Sequence, residues 1–180
     1  MYMPICYIFL FSCSSIFGQD YCLNSNLTKQ ELIIKKAERK NKIYDAKYSQ
    51  ISFNIAECYR QKNDTNYIFW YKKSVEINKG LYIHYKNNDD KLNSLKVCAF
   101  SYYYSNQYLE AIVSFEKCLK FCRDLELNHN EYLYYLADCQ LRLAQYENAI
   151  KTFKEYKSTN DNKHNVDESI KICENKISIK

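Results

Sequence analysis

The chain has 180 residues, long enough for one globular core or for a short array of repeats that bury their apolar faces against one another. Only two Gly and one Pro occur, so tight turns and sheet corners are scarce and long, uninterrupted helices are favoured. The net charge of +5 is mild and dispersed, which argues against nucleic acid as a partner.

The opening MYMPICYIFLFSCSSIFGQD carries an apolar run from Ile5 to Phe11 and no charged side chain before Asp20. A membrane-crossing helix needs about 20 apolar residues, so the run is too short to span. It suits the middle of a secretory signal covering residues 1–19, with cleavage near Gly18 or Gln19. The lack of an early Lys or Arg departs from the usual signal pattern. Leu10-Phe11-Ser12-Cys13 has the layout of a bacterial lipobox with an off-pattern Phe11, which makes Cys13 a candidate for lipidation. The expectation is therefore an exported protein, periplasmic or associated with the outer membrane. The alternative is a cytoplasmic one, if residues 1–19 are not a signal.

Residues 20–45 read as a flanking helix. Thr28-Lys29-Gln30-Glu31 ahead of an apolar triplet has the form of a capping box, which places a helix start at Thr28. The basic stretch Lys35 to Lys42 is interrupted by Glu38 and reads as a solvated helix face rather than a lipid or nucleic-acid contact.

Two nine-residue phrases then repeat, QYLEAIVSF at 107–115 and QYENAIKTF at 145–153, and Ala111 to Ala149 sets the period at 38 residues. The register extends upstream to Leu95, Cys98, Ala99 and Tyr102 in one copy, and to Leu133, Leu136 and Ala137 in the other. An earlier copy supplies Ile55, Ala56 and Tyr59, then Tyr67 and Tyr71 where the others have Ala and Phe. Ala99 and Ala111, like Ala137 and Ala149, stand 12 residues apart. Small residues at that spacing let two antiparallel helices cross closely, while Tyr108, Tyr146, Phe115 and Phe153 fill the space beside them. Each such ring, fully buried, stabilises by about 1.5–3 kcal/mol.

These letters resemble the tetratricopeptide repeat family, whose pattern sets a Leu, Gly and Tyr group ahead of an Ala and a Phe. The resemblance covers residues 46–160 as three helix pairs. It implies an all-α fold, a right-handed superhelix of antiparallel helix pairs, because a single pair cannot hide its apolar face and must stack on neighbours. The chain departs from the family in three ways. The first copy spaces Ala56 and Tyr67 by 11 residues, no Pro closes a repeat, and the period exceeds the usual figure of about 34. After a polar loop over Ser158 to Asn165, the stripe Ile170, Cys173 and Ile177 gives residues 161–180 a capping helix with one apolar face.

The resemblance also implies a role. Proteins of this family bind other proteins along a concave face lined by the first helix of each pair. Carried onto this chain, the groove positions include Phe53, Glu57 and Arg60, then Lys96, Phe100, Tyr103 and Tyr104, then Tyr134, Tyr135, Asp138, Leu141 and Arg142. Tyr and Arg are the residue types that dominate binding hot spots. Phe100, Tyr103, Tyr104 and Tyr134 are the expected anchors for an apolar peptide or partner helix. The family's carboxylate clamp is absent, since its places hold Phe53, Glu57, Val97, Glu131 and Tyr135. The alternative is that the chain's own flanks cover several of these rings, or that they are wet surface tyrosines. Membrane association would come through a lipid anchor or a partner complex.

An enzyme needs converging chemistry, and the sequence offers little. His84, His129 and His164 fall in separate regions, with no HExxH motif, phosphate loop or recognisable Cys–His pair. Cys118 and Cys122 share a helix face and could hold a metal with His129. Core packing is the favoured reading, so no catalytic residue, metal or cofactor is assigned. Cleavage of the signal leaves seven cysteines, an odd number without a regular disulfide framework. Cys58 and Cys139, each two residues after a repeat Ala, are expected to serve as small buried hydrophobes. The competing class is a metal-dependent or thiol enzyme.

Overall fold

The computed structural model describes residues 22–159 and 164–179. The signal, the candidate lipidation of Cys13 and the middle of the loop after Ser158 lie outside those residues. The described chain is all-helical: α1 Asn24–Arg39, α2 Ala46–Gln61, α3 Asn66–His84, α4 Asn88–Tyr104, α5 Tyr108–Asp124, α6 Asn130–Arg142, α7 Tyr146–Ser158 and α8 Asp167–Ser178. Each helix packs chiefly on those before and after it in sequence, which makes one continuous row of helices, a helical solenoid. None of these helices is long and apolar enough to cross a membrane.

The repeated Gln-Tyr phrase has a backbone explanation. Helices α1, α2, α4, α5 and α6 end on a left-handed residue, Asn41, Asn63, Asn106, Glu126 and Ala144 respectively. The N–H of the following residue reaches back to the carbonyl five positions earlier, as in Gln107 to Tyr102 at 2.9 Å and Gln145 to Gln140 at 2.9 Å. This is the Schellman closure, which normally uses Gly. With two Gly in the chain, Asn takes that place three times, because its short polar side chain tolerates the left-handed region. Gln107 and Gln145 then serve twice, since their carbonyls accept the N–H of Ala111 and Ala149 in the first turn of the next helix.

The small residues stand at the crossings. Ala56, Ala99, Ala111, Ala137 and Ala149 are all 0% exposed, and Phe115, Phe153 and Tyr71 are fully buried beside them. In the first pair the buried positions of α3 put Tyr71 in the place of Phe115, with Ser74 and Asn78 where α5 has Cys118 and Cys122. The missing residue falls between the left-handed Asn63 and Tyr67, which are four positions apart where Asn106 and Ala111, like Ala144 and Ala149, are five apart. There Asp64 both closes α2 and accepts the N–H of Asn66 at 2.9 Å. Asn78 keeps its buried amide satisfied by donating to Ser49 Oγ at 2.6 Å and to the Ser74 carbonyl at 2.8 Å.

Two local expectations are corrected. The helix start placed at Thr28 lies inside α1, whose first residue is Asn24; nothing in Asn-Ser-Asn-Leu breaks a helix, and no side chain caps Leu23. Cys58 is not a free hydrophobe like Cys139, because it forms a disulfide with Cys22 that ties the start of α1 to α2. Cys98, Cys118, Cys122, Cys139 and Cys173 are free and buried, as expected for small core residues. At the far end Ile170 and Cys173 turn inward from α8, and Lys157 of α7 pairs with Asp167 at 2.6 Å.

Candidate interaction face

The first helices of the three pairs, α2, α4 and α6, carry the positions assigned to the groove. Two of those side chains sit in the core. Phe53 and Phe100 are 7% and 1% exposed, so they support the face rather than line it. Phe100 meets Tyr135 edge-on at 4.8 Å between ring centroids and Phe115 at 5.3 Å. Burial behind these rings leaves Phe100 no route to a ligand.

Around this floor the tyrosines form a connected row. Tyr71 lies 6.0 Å from Tyr104, Tyr104 lies 5.3 Å from Tyr103, and Tyr103 lies 5.0 Å from Tyr135. Each end of the row is held by an acid and an arginine. At one end the Tyr71 hydroxyl donates to Glu57, Arg60 donates to Glu57 at 2.7 Å, and the Arg60 guanidinium lies over the Tyr104 ring at 4.8 Å. At the other end Tyr103 donates to Asp138 at 2.7 Å and Arg142 donates to the same oxygen at 2.6 Å. Arg142 also donates to the Tyr108 hydroxyl at 3.2 Å. Its guanidinium lies 5.8 Å from the centre of the Tyr103 ring. Glu57 and Asp138 each follow a crossing alanine, so one acid position is used in the first and third pairs while the middle pair has Phe100.

These pairings fix protonation. Burial first, then Glu57, pushes the Tyr71 phenol well above its ordinary value; burial and then Asp138 do the same for Tyr103. The hydrogen bond to Glu57 holds Arg60 firmly cationic, and Asp138 does so for Arg142. Arg60 and Arg142 remain more exposed than the acids behind them. The row thus presents ring faces and guanidinium edges, with the hydroxyls of Tyr71 and Tyr103 already engaged. Cation–ring contacts of this kind contribute about 0.5–1 kcal/mol at exposed sites.

The remaining positions divide. Lys96 and Glu131 bridge α4 and α6 at 4.0 Å, and Leu141 is half-buried against the core. Tyr134 is covered by the chain itself, since His164 stacks on its ring at 3.7 Å and 11°. The alternative reading, in which a flank covers some rings, therefore holds at Tyr134. The acid and arginine pairs at i,i+3 and i,i+4 were visible as helical spacings. Their shared use of a tyrosine from another helix was not, because it depends on how the pairs stack.

The three histidines stay dispersed. His84 ends α3, His129 precedes α6 with Nδ1 at 3.1 Å from the Leu127 carbonyl, and His164 sits over Tyr134. Cys118 and Cys122 are both 0% exposed, and burial pushes both thiols up. Among the described residues no group of three His, Cys, Asp or Glu side chains is placed to hold a metal. A separate cleft of about 360 Å³ lies among α5, α6 and α7, floored by Leu119, Leu133 and Leu136. The Arg123–Glu155 pair at 2.7 Å joins two of its lining residues.

Comparison with known proteins agrees with the architecture. The tetratricopeptide repeat model matches residues 131–162, which hold α6 but for its first residue, α7 and the turn between them. Among solved structures the chain is similar to a Podosopora anserina protein assigned as a kinesin light chain and built of nearly identical TPR-like repeats. The TM-score is 0.58 at 12% identity, covering 82% of this chain and 74% of that one. A single-substitution variant of the same protein, with Met in place of a Gln, gives a TM-score of 0.59 at 12% identity, covering 83% and 74%. At that identity the likeness is one of fold. No curated protein sequence matches the chain.

Proposed function

We propose that this TPR-like solenoid is a non-catalytic scaffold that holds a peptide or a partner subunit on the half-buried tyrosines of α4 and α6 and the flanking Arg60 of α2, outside the cytoplasm. The fold is one that serves protein–protein interaction in general, and its family is generally non-catalytic. The single observation that carries the finer reading is the row itself. Tyr103, Tyr104 and Tyr135 are half-buried, Phe100 braces Tyr104 and Tyr135 from behind while Tyr103 lies against both, and Arg60 and Arg142 stand at the two ends. Rigid rings of this kind lose little side-chain freedom on binding, which is why they make efficient anchors. The Cys22–Cys58 disulfide supports an oxidising compartment and hence export, to the periplasm or the outer membrane. Membrane association would then come from a lipid on Cys13 or from the partner complex.

The test is in-cell crosslinking of the wild type and of a Tyr103→Ala, Tyr104→Ala double variant, each checked for native helix content. The expected result is loss of the wild type's crosslinked partner from a variant that remains folded. Equal recovery by both proteins overturns the assignment to this face. Fractionation, with the mass of the mature amino terminus, separates the exported form from a cytoplasmic one.

A further inference from the structure

We infer that the Cys22–Cys58 disulfide is a thiol-operated latch that holds α1 against the first helix pair, and that a dithiol reductant releases α1 while the rest of the solenoid stays folded. Three observations lead there. The first is how small an apolar face holds α1. It buries Leu27, Ile34 and Ala37, and its polar ties include Tyr59 donating to Glu31 at 2.6 Å and the Lys73–Glu38 pair at 2.9 Å. Gln30 is buried with its carbonyl oxygen unbonded, while Leu32 and Ile33 remain exposed at 48% and 44%. Ordering a helix of 16 residues on three apolar side chains is marginal without a covalent tie.

The second observation is selectivity. Cys22 is partly exposed, whereas Cys58 and the five free cysteines are all buried. An incoming thiolate therefore reaches Cys22 Sγ. Its attack forms a mixed disulfide at Cys22 as the S–S bond breaks, and Cys58 leaves as a thiolate that takes up a proton. The reductant's second thiol then displaces Cys22 as a thiol. Two electrons and two protons pass to the protein, and the dithiol ends as its own disulfide.

The third is a hinge. Asn41 is left-handed at φ 52°, and two residues after it Ile43 is buried and Tyr44 lies against Gly80 of α3. The connection to α2 is thus pinned from Ile43 onward, and motion concentrates at Lys40 to Lys42. Release uncovers Tyr59 and Lys73 together with the apolar surface under Leu27, Ile34 and Ala37. It also frees Cys58, the neighbour in sequence of the Glu57 that anchors Arg60.

Hydrogen exchange on the purified protein tests this, with and without dithiothreitol and in a Cys22→Ser variant. The expected result is exchange about tenfold or more faster over residues 24–39 in the reduced and variant proteins, with residues 108–158 unchanged. Unaltered protection of α1 after reduction overturns the inference. So does loss of protection throughout the chain, which would make the bond a global staple. Alkylation of Cys22 before any reduction overturns it as well.

Discussion

At Ala144 a residue with a Cβ occupies a left-handed position, φ 57°, that three other helix ends in this chain give to Asn. A left-handed L-residue costs about 1–2 kcal/mol relative to the right-handed form, and Gly avoids most of that. Ala144→Gly is therefore expected to stabilise the protein by roughly 0.5–1 kcal/mol, read as a higher urea midpoint at unchanged slope. Asn106→Ala is expected to lower the midpoint by a similar amount. The first effect comes from backbone geometry alone; the second also removes the hydrogen bond that the Tyr108 hydroxyl donates to Asn106 Oδ1 at 2.7 Å. None of this was legible in the sequence, where Asn-rich turns look like composition. Gly scarcity pointed only to long helices, and it took the five closures to reveal Asn standing in for Gly.

Between elements, the crossing alanines decide how closely two helices approach. Ala149 is 0% exposed where α6 and α7 cross, and Ala137 and Phe153 are buried in the same core. Ala149→Leu inserts three carbons into a filled site and is expected to cost about 1–3 kcal/mol, with a lowered melting temperature and retained helix content. Here the sequence was informative: the spacing of Ala and Phe located α4 to α7, and the tetratricopeptide resemblance followed from it. It was less informative at α1, where the capping-box letters misplaced the start, because an N-cap depends on where the chain enters the helix. It also could not foresee the bond between Cys22 and Cys58, which are 36 residues apart and share no spacing rule. Of the groove positions, the residue types were visible, but which rings face outward depended on stacking. Phe100 went inward and His164 covered Tyr134 for that reason.

Across the whole molecule the free thiols set an alkaline limit together with the buried phenols of Tyr71, Tyr103, Tyr104 and Tyr132, which burial likewise pushes up. Burial pushes Cys98 and Cys139 up to about 12, and it raises Cys118, Cys122 and Cys173 as well. A group whose folded value lies above its unfolded one holds more protons when folded, so its stabilising contribution is complete below about pH 8.5. That contribution is lost as pH rises toward the folded value. Stability should fall by a few kcal/mol in total between about pH 9 and 12, measured by urea unfolding at stepped pH. Substituting Ala for Cys98 and Cys139 should flatten that slope. A slope unchanged by the two substitutions contradicts the assignment.

The single-file order of the helices has a mechanical side. A helix that rests mainly on the two beside it transmits load along the row and hardly at all across it, so small rotations at each turn add up over the length. Pulled from its extremities, such a molecule lengthens like a spring before any pair comes apart. It then peels from an end inward, one hairpin at a time.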